Sequence, residues 1–185
     1  MEMSAEAEFR AFMASRWPRM LRTARLLTGN HHDAEDLVQS ALVKAYVKWE
    51  RVRRADEPDA YVWRIMINAN TDRVRLLRVR EWLTTRVPEC PVPDRADDIA
   101  ERGALTEALS RLPARQRAVI VLRYLEDRSE SEVADILGTH VGTVRSHAAR
   151  ALYRLREQPG VLAEWAGLPD AARTGVGPRP EEARS

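Results

Sequence analysis

Small and hydroxyl-bearing side chains alternate with arginines in one stretch near the end of the chain. At helical spacing they share one side, on which Glu157 is the only acid: Thr143, Arg145, Ser146, Ala149, Arg150 and Arg154. Arginine donates hydrogen bonds to base edges and phosphates, and small residues let a helix approach a groove closely. The pattern therefore favours a helix face that reads the major groove of DNA. The solvated side of an ordinary amphipathic helix is the alternative.

Two short helices joined by a glycine are needed to position this face. Ser129 with Glu132 three residues later forms a capping box, which predicts a helix start, and Gly138 predicts its end. The predicted core residues of the two helices are Val133, Ile136, Leu137, Val141, Val144, Ala148, Ala151, Leu152 and Leu155. A capped short helix, a tight turn and a second helix together predict a helix-turn-helix. Residues 101–112 and 114–125 are predicted to form two supporting helices.

A second polar stripe follows steps of three or four along a long helix predicted over residues 59–82. It comprises Tyr61, Arg64, Asn68, Thr71, Arg75 and Arg78, and the opposite side carries the predicted core residues Val62, Ile65, Met66, Ala69, Leu76 and Leu77. Cations interleaved with amide and hydroxyl groups suit a nucleic-acid face, whereas the stripe alone favours a solvated charged face. Arg73 falls inside the apolar arc, where an ion pair with a carboxylate of the preceding helix is our hypothesis.

Two further helices are predicted before this one. The first ends at Gly29, and its core residues are Phe9, Met13, Trp17, Met20, Leu21, Ala24 and Leu27. Asn30 caps the second, with acids in the first turn where the helix dipole favours negative charge. Its core residues are Leu37, Val38, Ala41, Leu42, Ala45, Tyr46 and Trp49. Residues 50–58 are predicted to form a loop, and Pro58 to open the long helix.

Charge is unevenly distributed along the 185 residues, although the net charge is only +2. Residues 8–86 hold 16 Arg and Lys against 10 Asp and Glu, residues 87–100 hold 1 against 4, and residues 101–157 hold 10 against 8. The segment 87–98 has three prolines and four acids, which predicts a linker. We therefore expect an all-α protein with two small helical domains, 8–86 and 101–157, joined by a flexible acidic, proline-containing linker at 87–100. Residues 158–185 are expected to be a disordered tail.

Several classes of protein are disfavoured by composition. No apolar run reaches the length of a membrane span, and the first residues are acidic and polar, so a cytoplasmic location without membrane contact is expected. Cys90 is the single cysteine, and the four histidines lack carboxylates or thiols at metal-site spacings. No metal, cofactor or small-molecule ligand is expected. A hydrolase or metal enzyme has little support, because no phosphate loop or nucleophile motif is found.

With both modules in view, the chain resembles the extracytoplasmic-function (ECF) sigma factors of bacterial RNA polymerase, and within them the SigE-like actinobacterial set. The stretch DAEDLVQSALVKAY at 33–46 is similar to the family's second conserved region, and YVWRIMINANTDRVR at 61–75 to its −10-reading and melting helix. The stretch at 109–156 is similar to its fourth region. The resemblance implies a non-enzymatic protein that binds core polymerase and directs it to promoters. Domain 8–86 would then be region 2 and domain 101–157 region 4.

Site residues follow from the resemblance, position by position. It implies that Asp33, Asp36 and Gln39 dock on the β′ clamp of core polymerase, and that region 4 meets the β flap. In the −10-reading helix it implies DNA contacts by Tyr61, Arg64, Asn68, Thr71, Asp72, Arg75 and Arg78. The loop 51–57 stands where the family captures a flipped base. The −35-reading positions are Thr143, Arg145, Ser146, Ala149 and Arg150. An anti-sigma factor is a further partner class that the family allows.

Three residues depart from the family pattern. His147 stands where arginine is frequent, Arg128 replaces a usual leucine, and Tyr61 takes the place of a common tryptophan. The promoter sequence is therefore left open, as are the regulon and the inducing signal. The alternative function is a stand-alone DNA-binding regulator with a sensing or dimerising first module. A dimeric regulator needs a self-complementary apolar face, which the polar stripe on the long helix does not offer.

Overall fold

The computed structural model describes residues 4–84 and 103–158, with side chains over 4–77 and 103–158. The described residues form two helical units, 4–84 and 103–158, which confirms the all-α prediction there. The first holds α1 (Ala5–Thr28), α2 (His31–Val47), α3 (Trp49–Arg53) and α4 (Pro58–Thr84). The second holds α5 (Ala104–Ser110), α6 (Ala114–Ile120), α7 (Glu130–Leu137) and α8 (Val141–Arg156). The predicted linker 87–98 and the tail 159–185 lie outside the described residues.

The boundary between α1 and α2 is set by two neighbouring residues, as predicted. Gly29 has a left-handed backbone with φ of 89°, and its N–H donates to the carbonyl of Arg25. The side chain of Asn30 then accepts from the backbone N–H of Asp33 and caps α2. Glycine suits the left-handed position because it has no Cβ, and the asparagine oxygen satisfies one of the unpaired amides of the first turn. The chain reverses within two residues, and α1 packs along α2.

The first unit buries a continuous core between α1, α2 and α4, which explains most of the apolar pattern. The buried residues include Met13, Met20, Ala24, Leu27, Leu37, Val38, Ala41, Ala45, Val62, Ile65, Met66 and Ala69. Trp63 and Ile67 are buried as well, so the buried face of α4 is wider than the predicted stripe. Both α2 and α3 pack against α4, which accounts for the wider buried face.

Three predictions for the first unit are wrong. Leu76 and Leu77 are 69% and 43% exposed, because the core covers the N-terminal part of α4 and not this part. Tyr46 is 53% exposed, although its ring packs edge-on against Phe9 at 5.1 Å. The predicted loop 50–58 contains most of α3, whose Val52 is fully buried. The unit has four helices and not three, because Trp49 begins a new short helix.

Of the two supporting helices of the second unit, the first is shorter than predicted over its described part, whereas the second keeps the predicted span 114–125 and changes from α to π type. Residues 101–112 reduce to α5 over the described part, and α6 ends at Ile120. A wider, π-type turn covers Val121–Leu125, where the N–H of Glu126 donates to the carbonyl of Val121. The N–H of Arg128 reaches back to the carbonyl of Leu122 across Asp127, which has φ of 52°. This is the geometry of a helix end with a left-handed residue at the turn, a position that usually holds glycine.

In the second unit α6 and α7 both pack on α8. The core includes Leu109, Leu112, Val119, Ile120, Leu122, Val133, Ile136, Val144, Ala151 and Leu155. Of the predicted α8 stripe, Val144, Ala151 and Leu155 are buried, and Val141, Ala148 and Leu152 are half-buried. The helix is therefore anchored along one side. None of the helices described combines the length and the apolar character that a membrane span requires.

Candidate nucleic-acid interfaces

The predicted helix-turn-helix is present as α7 and α8. Both halves of the capping box form: the Glu132 N–H donates to the Ser129 hydroxyl at 3.2 Å, and the Ser129 N–H donates to the Glu132 carboxylate at 2.7 Å. Gly138 ends α7 with φ of 60°, a conformation that favours glycine. Three residues later the chain begins α8. The side of α8 that carries Val144, Ala151 and Leu155 is buried, and we call the opposite side its outer side.

The predicted −35-reading residues lie on this outer side. Arg145, Ser146, Ala149 and Arg150 are exposed, and Thr143 is half-buried. The Ser146 hydroxyl donates to the carbonyl of Gly142 at 3.0 Å, which leaves its oxygen as an acceptor. Arg154, also predicted to face outward, donates to Gln116 of α6 at 3.2 Å and is directed towards its own unit. The face available for a groove is therefore the first three turns of α8.

An acidic residue that was not predicted belongs to this face. Nε of Arg145 donates to a carboxylate oxygen of Glu130 at 2.7 Å. Glu130 is the first residue of α7, where an acid is expected simply for the helix dipole. The sequence therefore offered no reason to pair Glu130 with Arg145. The two residues are 15 positions apart, and the packing of α7 against α8 brings them together.

Arg128, one of the departures from the family pattern, has a structural role. Its guanidinium donates to Glu132 at 2.9 Å, with the Arg128 side chain only 15% exposed. The side chain and backbone N–H of Ser129, and then Arg128, lower the pKa of Glu132 to about 2. Arg128 therefore reinforces the capping box at the start of α7 and takes no position on the outer face of α8.

His147 is the departure that changes the electrostatics of the recognition helix. Burial lowers the pKa of His147 below its usual value of 6.5, and the charges of Arg150 and Arg115 lower it further. The half-buried ring is therefore mainly neutral at pH 7. Where an arginine would supply a permanent cation, this chain has an uncharged ring at physiological pH.

On α4 the second predicted stripe forms one polar face. Arg64, Asn68, Thr71, Asp72 and Arg75 are exposed, Tyr61 is half-buried, and the side chain of Arg78 lies outside the described part. Within the described ranges, Arg64 and Arg75 form no ion pair, so their charges are directed to solvent. Asp72 is 3.7 Å from Lys44 of α2, a cation that the sequence did not single out.

The predicted ion pair between Arg73 and a carboxylate of the preceding helix is confirmed. Its guanidinium is 2.9 Å from the carboxylate of Asp33 at the start of α2, and the same carboxylate accepts from Asn30 at 2.7 Å. Asp33 therefore joins α2 to α4. Asp36 and Gln39, the other two predicted polymerase-docking residues, are exposed, and the Asp36 carboxylate lies 3.6 Å from His32. The three predicted docking residues thus divide into one engaged and two accessible side chains.

The segment 51–57, predicted to lie where the family captures a base, is partly helical. Arg51 is exposed in the middle of α3, and Glu50 pairs with Arg53 at 2.8 Å and Arg54 at 3.2 Å. Two of the cations in this segment are therefore partly neutralised. Among residues 4–84 and 103–158, no three histidine, cysteine or acidic side chains cluster as a metal site would require.

Comparison with known proteins gives this geometry a family. Residues 13–80 match sigma-70 region 2, and residues 102–155 match sigma-70 region 4. The RNA polymerase sigma-E factor of Streptomyces coelicolor is 40% identical over 84% of this chain and 88% of its own length. The ECF RNA polymerase sigma factor SigM of Mycobacterium tuberculosis is 34% identical over 76% and 71% of the two chains.

A solved structure supports the same family assignment. The sigma factor RpoE, determined in complex with the anti-sigma factor NepR from Bartonella quintana, superposes with a TM-score of 0.68 at 26% identity. That match covers 85% of this chain and 98% of the other. The relatives match across both units, in the same order along the chain. The protein therefore belongs to the ECF group of RNA polymerase sigma factors, which direct polymerase to specific promoters.

Proposed function

We propose that residues 8–86 act as region 2, binding core polymerase and contacting the −10 element, and that residues 101–157 act as region 4, contacting the −35 element. The exposed polar faces of α4 and α8 support these two roles, and residues 87–100 serve as the connection. The role is one of binding and positioning and not of catalysis. It places the protein beside core polymerase in the cytoplasm.

For core polymerase we propose that α2 supplies the docking surface. Asp36 and Gln39 are exposed on its N-terminal half, where carboxylates meet cationic partners in water. Asp33 supports this surface indirectly through its ion pair with Arg73. An anti-sigma factor is a second proposed partner, since a relative with the same fold was solved in complex with one.

For promoter DNA we propose two separate contacts. On α4, the cations Arg64 and Arg75 flank Asn68 and Thr71, whose side chains have the donors and acceptors that contacts with bases require. Asp72 extends this face, and Tyr61 offers an aromatic ring at its start; Arg78 is included from its position in the sequence. On α8, Arg145, Ser146, Ala149 and Arg150 occupy the first exposed turns, with Thr143 at their edge. The single observation that carries this proposal is the exposed face of α8, whose opposite side packs against α6 and α7.

Within α8 we assign base reading to Arg145. Truncating an arginine that reads a base costs about 1–3 kcal/mol and relaxes preference at that position, whereas loss of a phosphate contact weakens all sequences alike. Arg145→Ala is therefore expected to change the selected −35 motif at one or two positions and to leave the −10 motif intact. The measurement is selection of randomised promoters by polymerase holoenzyme, with Arg111→Ala as a control away from α8.

Selection should distinguish Arg145 from a simple phosphate contact. A weaker but unaltered −35 motif would assign Arg145 to phosphate. A change confined to the −10 motif would contradict the placement of α8 on the −35 element.

A further inference from the structure

The contact between Arg145 and Glu130 joins the two helices of the helix-turn-helix on their DNA-facing side. Nε of Arg145 donates to Glu130 at 2.7 Å, with the side chains 68% and 33% exposed. An exposed ion pair contributes little to folding, because water solvates both charges in its absence. The contact therefore adds little to the stability of the fold, and its position on the DNA-facing side suggests a role in DNA recognition.

The contact uses one edge of the guanidinium and leaves the other open. An arginine side chain carries five N–H donors, one on Nε and four on the two terminal nitrogens. Within residues 103–158 the terminal nitrogens of Arg145 make no hydrogen bond. These nitrogens can donate as a pair to the O6 and N7 acceptors of guanine, the commonest specific arginine contact in the major groove.

A free arginine would have to give up several rotatable bonds to make such a contact. Ordering a long side chain on binding costs free energy, and a side chain already restrained in the bound direction avoids part of this cost. The Glu130 carboxylate is anchored on α7, whose start is fixed by the capping box. It therefore restrains the direction in which the Arg145 guanidinium points.

We propose that Glu130 is a positioning residue for Arg145: by holding Nε, it presents the terminal nitrogens to a base of the −35 element and sharpens the preference there. This rests on the proposed function, in which Arg145 reads that base. Glu130 makes no contact with DNA in this arrangement. Its carboxylate lowers affinity for the phosphates in general, so its benefit lies in discrimination between sequences and not in tighter binding.

The matched control is provided by the same helix. Asp135 is an exposed carboxylate on α7 that forms no ion pair with other described residues. Asp135→Asn removes the same unit charge as Glu130→Gln without touching Arg145. Any general electrostatic effect on DNA binding should therefore appear in both variants, and a positioning effect only in Glu130→Gln.

The test uses holoenzyme assembled from core polymerase and the full chain, with promoters randomised over the −35 element. Glu130→Gln should reduce the preference at the bases read by Arg145 by about three- to tenfold, the size of coupling typical of residues in contact. Combined with Arg145→Ala, it should reduce that preference no further than Arg145→Ala alone. Asp135→Asn should leave the −35 preference unchanged, and none of these variants should alter the −10 motif.

Four results would overturn the proposal. An unchanged −35 preference in folded Glu130→Gln would remove the positioning role while leaving base reading by Arg145 intact. Additive effects of the two substitutions would make Glu130 an independent contact. A uniform gain in transcription from all −35 sequences, larger than that of Asp135→Asn and without loss of preference, would make it a competitor of DNA. If Arg145→Ala itself leaves the motif unchanged, the base-reading assignment fails and the positioning role fails with it.

Discussion

Asp127 is the one non-glycine residue with positive φ in the described ranges, at 52°. An L-residue in the left-handed region is strained by its Cβ, and a carboxylate at a helix C-terminus also opposes the helix dipole. The side chain is exposed, so its removal costs no packing. Asp127→Gly should therefore stabilise the second unit by about 0.5–1 kcal/mol, after the greater freedom of glycine in the unfolded chain is subtracted.

Hydrogen exchange of amides in residues 103–158 measures this stability within the full chain. Asp127→Ala is the control, because alanine removes the carboxylate and retains the Cβ strain. Slower exchange in both variants would show that φ is not the source of the effect.

Glu132 links the stability of the second unit to pH. Its pKa is lowered to about 2 by hydrogen bonds from Ser129 and Arg128, against 4.5 in the unfolded chain. A lowered carboxyl pKa contributes stability that is complete above pH 4.5 and is lost as the pH falls towards 2. The side chain is 32% exposed, so solvent screening reduces the contribution to about 1 kcal/mol.

A pH series of unfolding experiments, with the Glu132 carboxyl followed by NMR, tests this linkage. Glu132→Gln should remove the component of acid destabilisation between pH 4.5 and 2, and Ser129→Ala should return the Glu132 pKa towards 4.5. An ordinary Glu132 pKa in the native protein would contradict the capping geometry.

At the scale of single residues, the sequence identified capping and turn positions because these depend on neighbours in the chain. Ser129, Glu132, Gly29 and Asn30 all have the predicted roles. The contact of Glu130 with Arg145 could not be predicted, since it depends on the crossing of two helices. The role of Arg73 was predicted as a hypothesis because a cation in an apolar arc requires a buried or half-buried partner.

At the scale of helices, α2 carries the proposed polymerase-docking surface. Asp36 is 59% exposed and belongs to only a weak pair with His32 at 3.6 Å. Asp36→Arg should therefore leave the fold intact, while reversing a charge-assisted contact should weaken core polymerase binding by about 1–3 kcal/mol. Equilibrium binding of labelled full-length protein to core polymerase provides the measurement.

Glu6 is a matched control on α1, where its exposed carboxylate pairs with Arg10 at 2.6 Å. Glu6→Arg makes the same charge reversal in the first unit, on a different helix from Asp36 and Gln39. Equal losses for the two variants would indicate a general charge effect, and no loss for a folded Asp36→Arg would remove α2 from the docking surface.

Helix periodicity predicted which elements exist better than how far each is covered. Leu76 and Leu77 continue the apolar arc of α4 by spacing, yet the core of the first unit ends before them. Periodicity reports the side of a helix and not whether another helix reaches that turn. In the same way, Trp49 fits the α2 pattern but belongs to α3, because Lys48 leaves the helical conformation for one residue and the chain begins a new turn.

At the scale of the whole chain, two units match two sigma-70 regions in the order predicted. Each unit alone offers DNA only one short helix face, α4 or α8. Specific protein–DNA contacts of nanomolar strength usually need a larger footprint than one such module. The isolated chain should therefore bind duplex promoters weakly, and specific recognition should require core polymerase to hold both units on the DNA.

The measurement that tests this account most directly is transcription from a genomic promoter library with core polymerase alone and with the full chain added. We expect the chain to bind core polymerase in the absence of DNA and to start transcription at defined sites that share two separated sequence motifs. The isolated chain should show no nanomolar binding to the same duplexes at physiological salt. Failure to bind core polymerase, together with tight and sequence-specific DNA binding by the chain alone, would contradict it and identify a stand-alone regulator.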